Sequence, residues 1–158
     1  MKICHLALTH NVESDSRILE KMACHSVKFG HQTSIITSAS KSKSYKGVHI
    51  ISLSTKKTGR SSIIYLMFKC FIRAMKEKAD IYHIHEVPLM LVGISLIIFN
   101  KKVIADFHED FEAEIYGKTY LNRFSKTLFY LLYQPFKIIL LPLFHHIILA
   151  EDGYLKNF

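Results

Sequence analysis

The sequence is short of the features that usually declare a mechanism. Its three cysteines, Cys4, Cys24 and Cys70, are odd in number and far apart, which argues against a disulfide scaffold. Cys4 sits in an apolar run and reads as a small core residue. A reducing, cytoplasmic setting is therefore expected. No G-x-G-x-x-G follows the first strand-like segment, and no G-x-x-x-x-G-K-[ST] occurs. Ordinary dinucleotide binding and P-loop phosphate chemistry are both disfavoured. There is no H-E-x-x-H, no C-x-x-C pair and no G-x-S-x-G elbow. The start, Met1-Lys2-Ile3-Cys4-His5-Leu6, lacks the apolar stretch and cleavage site of a signal peptide. Long hydrophobic runs are missing too. Val87 to Phe99 is shorter than the roughly 20 residues a bilayer needs. Thr127 to Phe144 is interrupted by Gln134, Pro135, Lys137 and Pro142, and reads as buried or interfacial helix.

Acidic residues are nearly absent from one segment. Between Lys41 and Lys78 stand ten Lys or Arg and a single acid, Glu77, within a chain of net charge +8. Such a segment suits phosphate, an anionic membrane or nucleic acid, or else forms a solvated helix face and a basic loop. No nucleic-acid-binding motif accompanies the charge, so nucleic acid is not an expected partner. With 158 residues and 49% hydrophobic content, the chain fits one domain, residues 1–158, with a sizeable core.

Strand-like and helix-like patterns alternate along the chain. Lys2 to Thr9 is a short apolar run, suited to a strand buried on both faces. Asp15 to Phe29 has helical spacing at Ile18, Leu19, Met22, Ala23 and Val27, with Ser14 or Asp15 as N-cap and Gly30 as stop. His31 to Thr37 is the second strand. Lys41 to Lys46 reads as a polar loop, Val48 to Leu53 as a third strand, and Lys56 to Ser62 as a basic loop. Ser62 to Lys78 carries a helical stripe, Asp80 to His85 a fourth strand, Val87 to Phe99 an apolar helix opened by Pro88, and Lys102 to Phe107 a fifth strand. From about Glu109 to Pro142 the pattern is helical with breaks near Gly117 and Pro135. His146 to Ala150 is a last short strand, and Glu151 to Phe158 looks like a helix beginning. The alternation predicts an α/β fold, an open parallel sheet with helices on both faces.

Polar groups collect where such a sheet binds ligands. Asp80-Ile81-Tyr82-His83-Ile84-His85-Glu86 and Ala105-Asp106-Phe107-His108-Glu109-Asp110 both end in histidines and carboxylates. In open α/β sheets, ligands lie outside the carboxyl ends of the strands, so these ends mark a candidate site; otherwise they are caps and satisfied core histidines. The first strand leads through His10-Asn11-Val12-Glu13 to a helix start, where backbone N–H groups favour anions and Arg17 could grip a phosphate or carboxylate. Otherwise Asp15 caps that helix and Arg17 makes a local ion pair. His83 and His85 share a strand face and, with Asp106 or His108, could ligate zinc. An H-x-H on a strand is weak support alone, and no metal is expected.

Three stretches give the chain a resemblance. Ser14-Asp15-Ser16-Arg17-Ile18, followed by Phe29-Gly30-His31-Gln32-Thr33, resembles "D-T-R-I … G-H-E-V". Asp80 to Glu86 is similar to "D-I-Y-H-x-H-D/E", and Lys102 to Asp110 to "K-V-I-x-D-x-H-E-D". His146 to Glu151 stands where a strand written "D-x-V-I-x-x-S" would fall. Together these resemble the N-terminal domain of family 4 glycosyltransferases over nearly the whole chain.

The resemblance implies the Rossmann-like, acceptor-side half of a GT-B enzyme. Such an enzyme is a retaining transferase moving sugar from a nucleotide sugar to a glycan or lipid-linked acceptor, as in cell-surface polysaccharide synthesis. By resemblance His108 is the catalytic candidate, contacting the transferred sugar or the acceptor, where an imidazole can donate to a hydroxyl or stabilise charge. His85 and Glu86 would shape the acceptor wall and Arg17 the cleft entrance, with Asp106, Glu109, His10 and Asn11 as further cleft residues. The chain departs from the pattern in lacking a Gly-rich turn after the first strand. It also has His145-His146 where an acid is common, and no second domain with an E-x7-E donor motif. The nucleotide-sugar donor would bind a separate C-terminal domain or subunit, no cofactor would bind here, and activity of this chain alone is not expected. Enzymes of this kind often work peripherally at the inner membrane face. Lys56, Lys57, Arg60, Arg123 and Lys126 are the candidate membrane-facing cations, beside Phe124 and Leu128. Two rival readings stay open: a non-catalytic glycan- or membrane-binding module, and a metal-dependent hydrolase using His83, His85, Asp106 and His108.

Overall fold

The structure, a computed structural model, describes residues 1–8, 15–39, 41–53, 60–107, 117 and 122–149, with the side chains of 60–63, 107, 125, 129, 132 and 135–137 outside that set. It is an α/β domain built on a seven-stranded sheet. The strands are β1 (Lys2–Ala7), β2 (Gln32–Thr37), β3 (Lys43–Tyr45), β4 (Val48–Ser52), β5 (Ile81–Ile84), β6 (Lys102–Phe107) and β7 (His146–Leu149). Helix α1 winds first with π-type turns, Ser16–Cys24, and continues as α-helix, His25–Lys28. Then come α2 (Arg60–Glu77), α3 (Met90–Ile98) after a 3-10 turn at Val87–Leu89, and α4 (Arg123–Leu140) before a 3-10 turn at Leu141–Leu143.

The sheet order is β3-β4-β2-β1-β5-β6-β7. Every pair is parallel except β3 with β4. Chain order runs outward from β1 in both directions, so the β1–β5 junction is where the winding reverses. Two local signals work as expected. The Asp15 carboxylate accepts from the backbone N–H of Arg17 and Ile18, both at 3.0 Å, and caps α1. Gly30, at φ 80°, ends it, with His31 N–H donating to the Ser26 carbonyl at 3.1 Å.

Alternation along the strands splits the core in two. Cys4 and Leu6 of β1, Tyr82 and Ile84 of β5, and Val103 and Ala105 of β6 pack under α2 and α3 with Cys70, Ala74, Met90 and Leu96. Ala7, Ile35, Val48 and Ile50 pack on the other face under Ile18, Leu19 and Ala23 of α1. Each fully buried Leu, Ile, Val or Met among them contributes about 1.5–3 kcal/mol. The Tyr82 hydroxyl donates to the Ala74 carbonyl at 2.9 Å and accepts from Ala79 N–H at 3.0 Å, closing the α2–β5 connection. All three cysteines are buried and free, and burial pushes the Cys4 thiol up to about 12.

Three expectations need correction. Lys41 to Lys46 is not wholly loop: it contains β3, which pairs antiparallel with β4 through a two-residue turn. Lys46 at φ 46° and Gly47 at φ 84° both take the left-handed conformation, whose twist suits a tight hairpin. The helix expected from Ser62 starts two residues earlier, at Arg60. And α4 runs through Pro135 without ending. A proline's φ fits a helix; it forfeits one backbone N–H bond and crowds the carbonyl four residues earlier, a local cost that does not end α4.

Candidate functional site

At the reversal between β1 and β5, the face toward α1 turns polar. Register places His5 beside His83 and, on β6, His83 beside Ile104; one step on, Asp106 lies at the carboxyl end of β6. His85 follows β5 directly, its N–H donating to the Leu6 carbonyl at 3.2 Å. Alternation then sends His5, His83, His85 and Asp106 to the same side of the sheet. All four are buried, each less than a tenth exposed.

Asp106 is the hub. One carboxylate oxygen accepts from the Arg17 guanidinium at 2.8 Å. The other faces His85 Nδ1 at 3.3 Å and His83 Nε2 at 3.6 Å. On its far side His85 meets His5, Nε2 to Nδ1, at 2.9 Å. The rings stack as a group, His83 on His85 with centroids 4.4 Å apart and His5 on His85 at 5.2 Å. Burial first, and then the neighbouring His85, pushes the His5 imidazole down to about 3, against the opposing pull of Asp106. His5 is therefore neutral at physiological pH.

The proton positions follow from these neighbours. A carboxylate only accepts, so the His85 nitrogen facing Asp106 carries the hydrogen. The other His85 nitrogen then accepts, and His5 Nδ1 donates to it. That leaves His5 Nε2 a bare lone pair, buried and without a partner among the described residues. A linear relay from Arg17 through Asp106 and His85 to His5 can hold or pass a proton, and three imidazoles this close can also share a cation.

Of the residues expected at a cleft, Arg17, His85 and Asp106 come together, with His83. Arg17 does not make a local pair: the carboxylate it meets is 89 positions away. Glu86 is buried at the carboxyl end of β5, where its carbonyl accepts from Leu89 N–H at 3.0 Å. His10, Asn11, His108 and Glu109 lie outside the described residues, as do Lys56 and Lys57; Arg60 begins α2, its side chain likewise outside them. Arg123 is exposed and Lys126 half-buried on α4, whose Phe124, Leu128 and Leu131 are exposed. Among the described residues no helix is long and apolar enough to cross a membrane. His5 was missed by sequence reasoning. Its one signal is a lone polar ring in an otherwise apolar strand. A solvent-open depression at the other end of the sheet, lined by Lys2, His31, Thr33, Arg73 and Glu77, is a weaker candidate, because Lys2 and Arg73 are both paired with Glu77.

No protein-family model and no curated protein matches this sequence.

Proposed function

We propose that this chain is the acceptor-binding half of a retaining glycosyltransferase with Rossmann-like, GT-B architecture, transferring sugar from a nucleotide sugar to a glycan or lipid-linked acceptor. One observation carries the reading: the three stretches that resemble family 4 glycosyltransferases converge on one carboxylate. Arg17 from the first, His83 and His85 from the second, and Asp106 from the third meet within 3.6 Å of Asp106 oxygens. Counted over its parallel strands, the sheet has the doubly wound order 3-2-1-4-5-6, and the cluster sits at its switch point, where such folds bind ligands.

Buried as it is, the cluster supports the cleft from below. Asp106 holds Arg17 at the start of α1 and fixes the end of β6, so the chain that follows, carrying His108 and Glu109, leaves from a rigid base. His108 then acts at the sugar, while a separate domain supplies the nucleotide sugar. The exposed Phe124, Leu128 and Leu131 beside Arg123 and Lys126 support peripheral contact with an anionic membrane, where work on lipid-linked acceptors takes place. The test is reconstitution. The chain is combined with a Rossmann-like donor-binding domain bearing E-x7-E, and nucleotide release is followed with lipid-linked and free oligosaccharide acceptors. Turnover that needs both parts and falls at least a hundredfold in His108→Ala supports the proposal. Absence of both turnover and oligosaccharide binding sinks it.

A further inference from the structure

His5, His83 and His85 come from two adjacent strands and present one nitrogen each, all within 4.8 Å of one another. Their burial is nearly complete, at 1%, 8% and 2% exposure. A neutral imidazole brings one lone pair and one N–H group. Asp106 offers one oxygen toward His83 and His85, with its other oxygen taken by Arg17. A cation between the rings would take the lone pairs of His5 Nδ1 and His85 Nε2 in place of the hydrogen bond that now joins these two rings.

We propose that His5, His83 and His85 form a binding site for a zinc-like divalent transition metal, with Asp106 as the carboxylate that orients the ligands. The inference is independent of the transferase reading. His5 and His85 nitrogens stand 2.9 Å apart, close to the roughly 3.3 Å that tetrahedral zinc with Zn–N bonds of about 2.0–2.1 Å sets, and the His83 nitrogen, within 4.8 Å of both, moves in to complete the set. An all-imidazole donor set selects zinc, copper or nickel over magnesium and calcium, which want oxygen. Asp106 stands behind His85 and His83 as carboxylates stand behind metal-bound histidines, fixing tautomer and ring orientation. Arg17 holds that carboxylate in turn. Three protein ligands leave a fourth position, which a water molecule would fill.

Cobalt(II) titration of the metal-stripped full chain tests the site. The expected result is one tightly held equivalent with visible absorption of tetrahedral intensity, displaced by zinc. His5→Gln and His83→Gln should abolish that spectrum, and Asp106→Asn should weaken binding about 10–100-fold. His146→Gln, at an exposed strand position, should leave it unchanged. Circular dichroism reports whether each variant folds. Where His5→Gln does not fold, imidazole nitrogen NMR of the unaltered protein decides: zinc should shift His5, His83 and His85 and not exposed histidines such as His146. No tetrahedral spectrum, a spectrum that survives His83→Gln or is lost in His146→Gln, or zinc shifts confined to exposed histidines would each overturn the proposal.

Discussion

The same three strands, β1, β5 and β6, present two opposite chemistries. Toward α2 and α3 they show Cys4, Leu6, Tyr82, Ile84, Val103 and Ala105, a dry surface whose chief polar atom, the Tyr82 hydroxyl, is doubly hydrogen-bonded. Toward α1 they show His5, Ala7, His83, His85 and Asp106. Neither face is more exposed than the other. What differs is how burial is compensated: on the first by apolar contact and the two local hydrogen bonds of Tyr82, on the second by a chain of charge and hydrogen bonds running to Arg17. The first face therefore stabilises in a way indifferent to pH and partners. The second is conditional, and a conditional interior is what a site requires.

Four measurements would break or sharpen this contrast. The largest effect is expected on the apolar face: Leu6→Ala should cost about 2–5 kcal/mol in urea denaturation, with no change in the pH dependence of stability. Next, Arg17→Ala leaves the buried Asp106 carboxylate without its cation. Because Arg17 is itself about a third exposed, the loss should be about 1–3 kcal/mol rather than that of a fully buried pair. A variant as stable as the parent would mean that Asp106 is compensated by the histidines alone.

The third measurement is acidification. Between 6.5 and about 3 the unfolded chain binds a proton at residue 5 that the folded chain refuses. This contribution to stability is whole above 6.5 and falls by about 1.4 kcal/mol per pH unit as pH drops through that window. His5→Gln should flatten the slope by one proton, and urea midpoints taken on both sides of 6.5 would reveal an unchanged slope if His5 does not titrate this way. The smallest effect concerns the fit of α3. A Cβ on Gly93 would meet Phe144 Cε1 at 2.7 Å and Ile84 Cδ1 at 3.1 Å. Gly93→Ala should therefore lower stability by about 1 kcal/mol, overpacking outweighing the gain in helix propensity. A thermal midpoint raised by that substitution would show that Phe144 can step aside.

Much of the architecture was legible because its signals are local. Asp15 as cap, Gly30 as stop, Pro88 in the first turn after β5, and apolar runs alternating with helical stripes all act within a few residues. The β3–β4 hairpin was not legible, because Lys46-Gly47 between Ser- and Lys-rich segments lacks the Asn-Gly or Asp-Gly that announces such a turn. The candidate site was half legible. Polar endings on β5 and β6 marked the location, since buried parallel strands are otherwise apolar. The contributions of His5 and Arg17 depend on which strands lie side by side and in what register. A neighbour 80 positions away, as His85 is from His5, leaves no trace in spacing.

The central position of β1 has a consequence for the order of events during synthesis. Its partner β2 emerges within the next few tens of residues, and the hairpin behind it soon after, so β1, β2, β4 and α1 can assemble early around Ile18, Ile35 and Ile50. The other edge of β1 must wait for β5, and Arg17 must wait for Asp106, 89 residues downstream. Contacts of such long sequence separation are slow to close. His5 thus spends the interval open to water and free to take a proton, and final closure of the domain must expel it, so refolding should slow in mildly acidic buffer.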